Sequence, residues 1–297
     1  MKDKYNILIV PAGSGMAIAA IQGLKKNDIF HIVAADLNPL AARLYLADTA
    51  YQVPSFDDEE FYKKLDEIIK VEDINIIIPA LETILLDFSK KWDYYNKKGI
   101  AVLVSKPEAI ECTRDKWLTY NKFKNKIFVS KSFIKLDKIN IEFPLFIKPR
   151  DGSGSINVYK KNEKELIFFY SYVRNPIIQE YLPGKEYTID CITDNDGNLK
   201  ICIPRERLEV KAEISVKGKI IGNEYLHEMA EKITNEITFR GPFFFQAKED
   251  NNGIPKLTEI NGRIAGNMIL SNESGIDFYK IAIKLILGEK IEIQKIR

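Results

Sequence analysis

Four short apolar runs rich in Ile and Val punctuate the first hundred residues: 5–10 (YNILIV), 30–36 (FHIVAAD), 74–79 (INIIIP) and 100–104 (IAVLV). Helix-length segments separate them, notably Met16–Lys26 and Glu59–Val71. Strands of this kind alternating with helices bury both faces of a parallel sheet, so residues 1 to about 105 are expected to form a Rossmann-like α/β unit. A helical stretch follows over Pro107–Asn125, where Pro107 suits a first turn. Beyond it the rhythm changes. Apolar runs and turns alternate over 143–193, with a helix expected over Glu163–Val173, which is the pattern of an antiparallel α+β unit. Hairpin signals at Asp194–Asn198, a helix around Leu226–Phe239, two strands (PFFFQAKED and IPKLTEI) and a closing helix, Phe278–Leu287, complete the chain. The stretch from about 207 to 222 reads as a mobile loop on the substrate side.

Composition narrows the class. At 297 residues the chain exceeds one ordinary core, so two or three domains are expected. Hydrophobic residues at 45% and charged residues at 29% are globular values. A net charge of +2 gives no reason to expect nucleic acid or an acidic membrane as a partner. Cys112, Cys191 and Cys202 are widely spaced without a CxxC, which fits reduced thiols better than a zinc site or a disulfide framework. With no secretory h-region and no run of membrane-spanning length, the expected location is cytoplasmic.

Two segments suggest chemistry. In PLFIKPRDGSGS an apolar strand ends in Lys148 and enters a turn with Gly152 and Gly154, where free N–H groups can form an anion-binding concavity. In GIPKLTEINGR, Glu259 and Asn261 are two apart on a strand and point to one face. Oxygen ligands so placed suit Mg²⁺, which keeps substrate phosphates in its shell. The pair reads as a nucleoside-triphosphate site. The first turn, PAGSGMAIA, has Gly13 and Gly15 but Ile18 where a dinucleotide fingerprint needs its third glycine. Even with Asp36 ending the second strand, a tight strand-to-helix turn is the better reading there.

Taken in order, IKPRDGSGS, IIQEYLPGKEYTIDC and FFFQAKEDNNGIPKLTEINGR resemble the ATP-grasp superfamily, and within it the carbamoyl-phosphate-synthase-like branch. DLNPLAARLYLADTAYQVP followed by IIIPALE looks like the preATP-grasp domain of that branch. The resemblance implies a Rossmann-like preATP-grasp domain over 1–106 and a two-lobed ATP-grasp fold. Its small subdomain would cover 107–184, and its large, metal-bearing subdomain 185–297.

The family's roles then carry over by position. Lys148 and Lys116 would hold ATP phosphates, and Gly152, Ser153, Gly154 and Ser155 would close over them as a lid. Glu180, Tyr181 and Leu182 would read adenine, and Glu186 would accept the ribose hydroxyls. Gln246, Glu259 and Asn261 would bind Mg²⁺, with Mn²⁺ as a substitute, while Arg263 steadies the departing γ-phosphate and Arg205 the substrate carboxylate or acyl phosphate. The family's frequent Asn-Pro-Arg is Asn261-Gly262-Arg263 here, which keeps the spacing.

The implied activity is an ADP-forming ligase that activates a carboxylate as an acyl phosphate for an amine or thiol. Its partners would be those small molecules, and homodimerisation is compatible with it. A bicarbonate-activating enzyme and a non-catalytic ATP sensor are the alternatives. A single module is also expected not to make carbamoyl phosphate from glutamine by itself.

Overall fold

The computed structural model describes residues 4–151, 159–211 and 214–291. The N-terminal part is a parallel sheet of β1 (Tyr5–Val10), β2 (Phe30–Asp36), β3 (Thr49–Gln52), β4 (Ile76–Pro79) and β5 (Ala101–Val102), in the order β3-β2-β1-β4-β5. β3 is an edge strand that the apolar pattern misses, because TAYQ alternates half-buried and exposed positions instead of forming a continuous apolar run. Its helices are α1 (Gly15–Leu24), α2 (Glu60–Val71), α3 (Glu82–Lys90) and α4 (Trp92–Lys97). α2 shows why helices form here: Phe61, Leu65 and Ile68 recur at helical spacing and are its buried residues.

The expected helix over Pro107–Asn125 is two helices, α5 (Pro107–Arg114) and α6 (Lys116–Phe123). Asp115 breaks the run. Its backbone is extended and its carboxylate accepts from Trp117 N at 2.8 Å and Leu118 N at 3.2 Å, capping the second helix. A four-stranded sheet follows, β6 (Ser132–Phe133), β7 (Leu145–Pro149), β8 (Tyr159–Lys161) and β9 (Pro176–Glu180), ordered β6-β9-β7-β8. It carries α7 (Glu163–Tyr172), which opens with a capping box between Asn162 and Glu165.

The third sheet is antiparallel, of β10 (Glu186–Thr193), β11 (Leu199–Lys211), β12 (Ile214–Ile220), β13 (Gly241–Glu249) and β14 (Pro255–Asn261), ordered β12-β11-β10-β13-β14. The expected loop over 207–222 is thus a correction: its described residues are mostly strand. Leu208, Val210 and Val216 alternate with polar residues in a strand period, and β11 pairs with β12 from Arg205↔Ile220 to Lys211↔Ile214. α8 (Glu224–Glu236) packs behind this sheet and α9 (Phe278–Ile286) on its front.

One apolar core joins the first and third sheets. Ile7, Ile9 and Ile78 meet α1, α9 and the sheet residues Ile192, Ile201, Ile203 and Phe244 in a single cluster. α1 and α9 cross at Gly23, where a Cβ would stand 2.1 Å from a ring carbon of Tyr279. No helix among the described residues is long and apolar enough to cross a membrane.

Candidate active site

The antiparallel sheet carries chemistry on one face, and its register explains why. Ile220, Arg205, Thr188, Gln246 and Glu259 are successive cross-strand partners over β12, β11, β10, β13 and β14, so their side chains share a face. Two residues along each strand lies a parallel row, Ile203, Asp190, Phe244 and Asn261. Glu186 and Lys248 make a third, opposite each other. The reverse face shows only apolar residues at these strands' centres, Ile189, Cys191, Phe243, Phe245 and Ile260, all under 2% exposed against α8 and α5. A register shift between Gln246 and Ala247 places an irregularity next to the candidate ligands, a common device beside active sites.

Glu259 is the centre of the polar rows. Asn261 Nδ2 donates to its Oε1 at 3.0 Å, and Gln246 sits directly opposite on β13. Burial, the largest influence, pushes its pKa up; Lys116, Lys148, the Asn261 hydrogen bond and Arg263 together outweigh it and hold Glu259 below its ordinary 4.5. A half-buried carboxylate held down this way requires concentrated positive charge around it. Lys116 and Lys148 come from different elements: α6 presents Lys116, which is 7% exposed, and Lys148 is the second-last residue of β7. Their relative placement is braced by Arg150, whose Nε spans both oxygens of Asp115 at 2.7 and 2.8 Å, and by Lys116 N donating to Arg150 O at 3.1 Å. A cavity of about 120 Å³ opens between Glu259 and Asn261 on one side and Lys116, Arg114, Thr113 and Glu82 on the other.

The other expected residues fall around this centre. Arg263 donates from Nε to Glu82 and from Nη1 to Ile264 O at 3.1 Å, and its guanidinium lies 5.2 Å from the Phe244 ring centroid. Glu186 is bound by Arg207 and stands 3.7 Å from Lys248. Glu180 ends β9 with its carboxylate on Lys256 Nζ at 3.1 and 3.2 Å and its N–H donating to Lys131 O at 2.9 Å. Tyr181 packs against Phe146, with centroids 5.6 Å apart, and Lys160 lies over its ring at 3.7 Å. Gly152, Ser153, Gly154 and Ser155 lie outside the described residues.

Arg205 is the exception to the picture of a poised surface arginine. It is fully buried, its Nε donates to Asp190 Oδ2 at 2.8 Å and its Nη2 to Asn267 at 3.3 Å. Ser271 shares the same Asp190 oxygen at 2.5 Å. Only Nη1 has no hydrogen-bond partner among the described residues. Thr83, Thr113 and Arg114 line the cavity without having been expected there; Arg114 is two residues from Lys116, and that adjacency is the one sequence signal for it.

The hard-oxygen set fits magnesium rather than an all-protein cage. Among the described residues no three His, Cys, Asp or Glu side chains converge on a cation-sized point. One carboxylate with two amide oxygens beside a cationic cavity suits an ion that keeps phosphates and waters in its shell.

Residues 7–103 match the family model described as the PylC-like, N-terminal domain, and residues 173–297 that of an ATP-grasp in the biosynthetic pathway with Ter operon. A D-alanine–D-alanine ligase of Petrotoga mobilis is 29% identical over 194 residues, 55% of this chain and 64% of that protein. The carbamoyl phosphate synthase large chain of a Thermoanaerobacter species is 24% identical over 66% of this chain and 20% of its own length. The chain thus spans less than two thirds of each curated relative. A Campylobacter jejuni biotin carboxylase–β,γ-ATP complex superposes with a TM-score of 0.78 at 19% identity, covering 97% of this chain and 72% of that one. That likeness shows the fold: a preATP-grasp domain before a two-lobed ATP-grasp fold. Residues 173–297 thus resemble an ATP-grasp domain, and residues 7–103 a PylC-like N-terminal domain.

Proposed function

We propose that the protein is an ADP-forming carboxylate–amine ligase that uses Mg·ATP. The observation that carries this reading is the clustering of Lys116, Lys148 and Arg263 around the half-buried Glu259, whose pKa they hold below its ordinary value. Such a site holds a polyanion and a hard cation together, and phosphoryl transfer asks for positioning and charge neutralisation rather than a covalent nucleophile. The related D-alanine–D-alanine ligase makes an amide-forming reaction the natural assignment.

In this reading Glu259, Asn261 and Gln246 hold magnesium, which supplies charge neutralisation between phosphates when bound. Lys148 and Lys116 grip the phosphates, Glu186 accepts the ribose hydroxyls, and the Glu180–Leu182 backbone reads adenine. Gly152, Ser153, Gly154 and Ser155 supply further donors to the phosphates. Arg263 steadies the γ-phosphoryl group as it passes to the substrate carboxylate, and its salt bridge ties it to Glu82, which lines the cavity. Arg205 reaches the acyl group only through Nη1, its one donor without a partner among the described residues, and Asp190 fixes its plane. The amine then attacks the acyl carbon, the C–O bond to phosphate breaks and the amine gives up a proton, giving amide and free phosphate beside the ADP already formed. Neither histidine has a role in this scheme; His31, on β2, lies 3.9 Å from Asp48 and 3.7 Å from Glu72.

Incubation with Mg·ATP, pooled carboxylic acids and hydroxylamine tests the assignment. ADP together with a hydroxamate of one acid is the expected result. AMP and pyrophosphate would mean adenylation and overturn it.

A further inference from the structure

At the carboxyl ends of the first sheet lies a cavity of about 600 Å³, well within the range of small-molecule sites, that the ligase reading leaves unused. It sits where β1, β2 and β3 end, in a sheet of order β3-β2-β1-β4-β5, the crevice in which open α/β sheets take ligands. One pole is polar. Asp36 closes β2 with Oδ2 accepting from Gly13 N at 2.5 Å and Oδ1 from Asn38 N at 2.9 Å. A carboxylate has about four acceptor sites, so one backbone donor on each oxygen leaves a lone pair on both. Two oxygens held rigidly side by side, each with capacity left, match a vicinal diol.

The turn that presents them is pinned from both sides. Gly13 N–H engages Asp36 while Arg43 donates to Gly13 O, and a Cβ on Gly13 would stand 2.9 Å from Asp36 Oδ2. Arg43 Nε is enclosed with no hydrogen-bond partner among the described residues, a donor left at the wall of the same cavity. The other pole is an apolar slot formed by Leu37, Val53, Pro54 and Phe56 facing Leu81 and Ile84. Leu37 and Phe56 are 54% and 39% exposed at its mouth, apolar area that a flat ring would cover.

We propose that this cavity is a second ligand site and binds a ribonucleoside, its 2′ and 3′ hydroxyls on Asp36 and its base in the apolar slot. The missing third glycine is no obstacle. The second and third glycines of the dinucleotide fingerprint serve the pyrophosphate and helix–strand packing, and a nucleoside needs neither.

Hydrogen–deuterium exchange on the full chain tests this with adenosine, guanosine, cytidine and uridine as probes. At least one should slow exchange over 11–16 and 36–43. Its 2′-deoxy analogue should need roughly tenfold or more higher concentration, the loss expected for one hydrogen bond to a charged group. Ser55→Trp, which puts an indole into the cavity, should abolish protection at 36–43 while any protection at 179–187 persists. Asp36→Asn should weaken binding similarly, and Ser55→Trp keeps the test decisive if Asp36→Asn fails to fold. Protection confined to 179–187, no protection by any of the four, or equal protection by the deoxy analogue would each overturn the proposal.

Discussion

Two five-stranded sheets in this molecule use their faces in opposite ways. The parallel sheet is apolar at almost every central position on both sides: Ile7, Leu8, Ile9, Val33, Ile76 and Ile77 are all fully buried. Its only chemistry is at the strand ends, where Gly13 and Asp36 emerge. The antiparallel sheet is apolar on one face and carries polar rows on part of the other, with Arg205, Thr188, Gln246 and Glu259 in one of them. A parallel sheet needs helices on both faces and has only its edges to offer ligands, whereas an antiparallel sheet can devote part of a face to them. Cross-strand register then does what loops do elsewhere, placing side chains from four strands in line.

Breaking the polar row should have the largest effect. Glu259→Gln removes the one carboxylate of the proposed cation set, and ATP turnover should fall by about 10²–10³-fold, some 3–4 kcal/mol, on the scale of losing a principal charge-stabilising group. Retained secondary structure by circular dichroism would separate this from unfolding, and wild-type turnover would sink the ligand assignment. Where the two sheets are joined, Gly23→Ala drives a methyl into the Tyr279 ring and should cost about 1–3 kcal/mol in chemical denaturation, without a specific effect on nucleotide affinity. Asn162→Ala removes the capping box of α7, distant from both sheets, and should cost about 1 kcal/mol.

A pH measurement sharpens the same contrast. Because Glu259 is held below its ordinary value in the folded state, its contribution to stability is present above pH 4.5 and is lost as pH falls through the lower folded value. The acid limb of a stability profile should therefore flatten in Glu259→Gln. An unchanged acid limb would mean that the surrounding cations do not hold Glu259 ionised.

Much of this was legible in the residues. Ile–Val runs announce the parallel strands because such strands are buried on both faces, and Glu259 with Asn261 announce a shared polar face by their spacing alone. The fate of Arg205 was not legible. A strand arginine near a motif looks like a substrate contact, and only the register that brings Asp190 two residues from its cross-strand partner Thr188 explains its enclosure. The split of α5 from α6 turns on Asp115, whose choice between helix interior and cap depends on Arg150, 35 positions away. The β11–β12 hairpin was hidden because lysine and glutamate on its outer side look like loop composition, and only the two-residue period of Leu208, Val210 and Val216 betrays it.

The proposed cation ligands lie within one hairpin: Gln246 and Glu259 are paired residues on β13 and β14, joined by a turn at Asp250–Gly253. Closing so short a loop costs little chain entropy, and contacts of low sequence separation form early. Lys116 and Lys148 arrive from more than ninety positions upstream and must find that hairpin across the whole chain. In folding terms the negative half of the site is a local product and the positive half a global one. Until the positive half docks, Glu259 faces its own desolvation without compensation, so the carboxylate that completes the site also works against any premature burial of it.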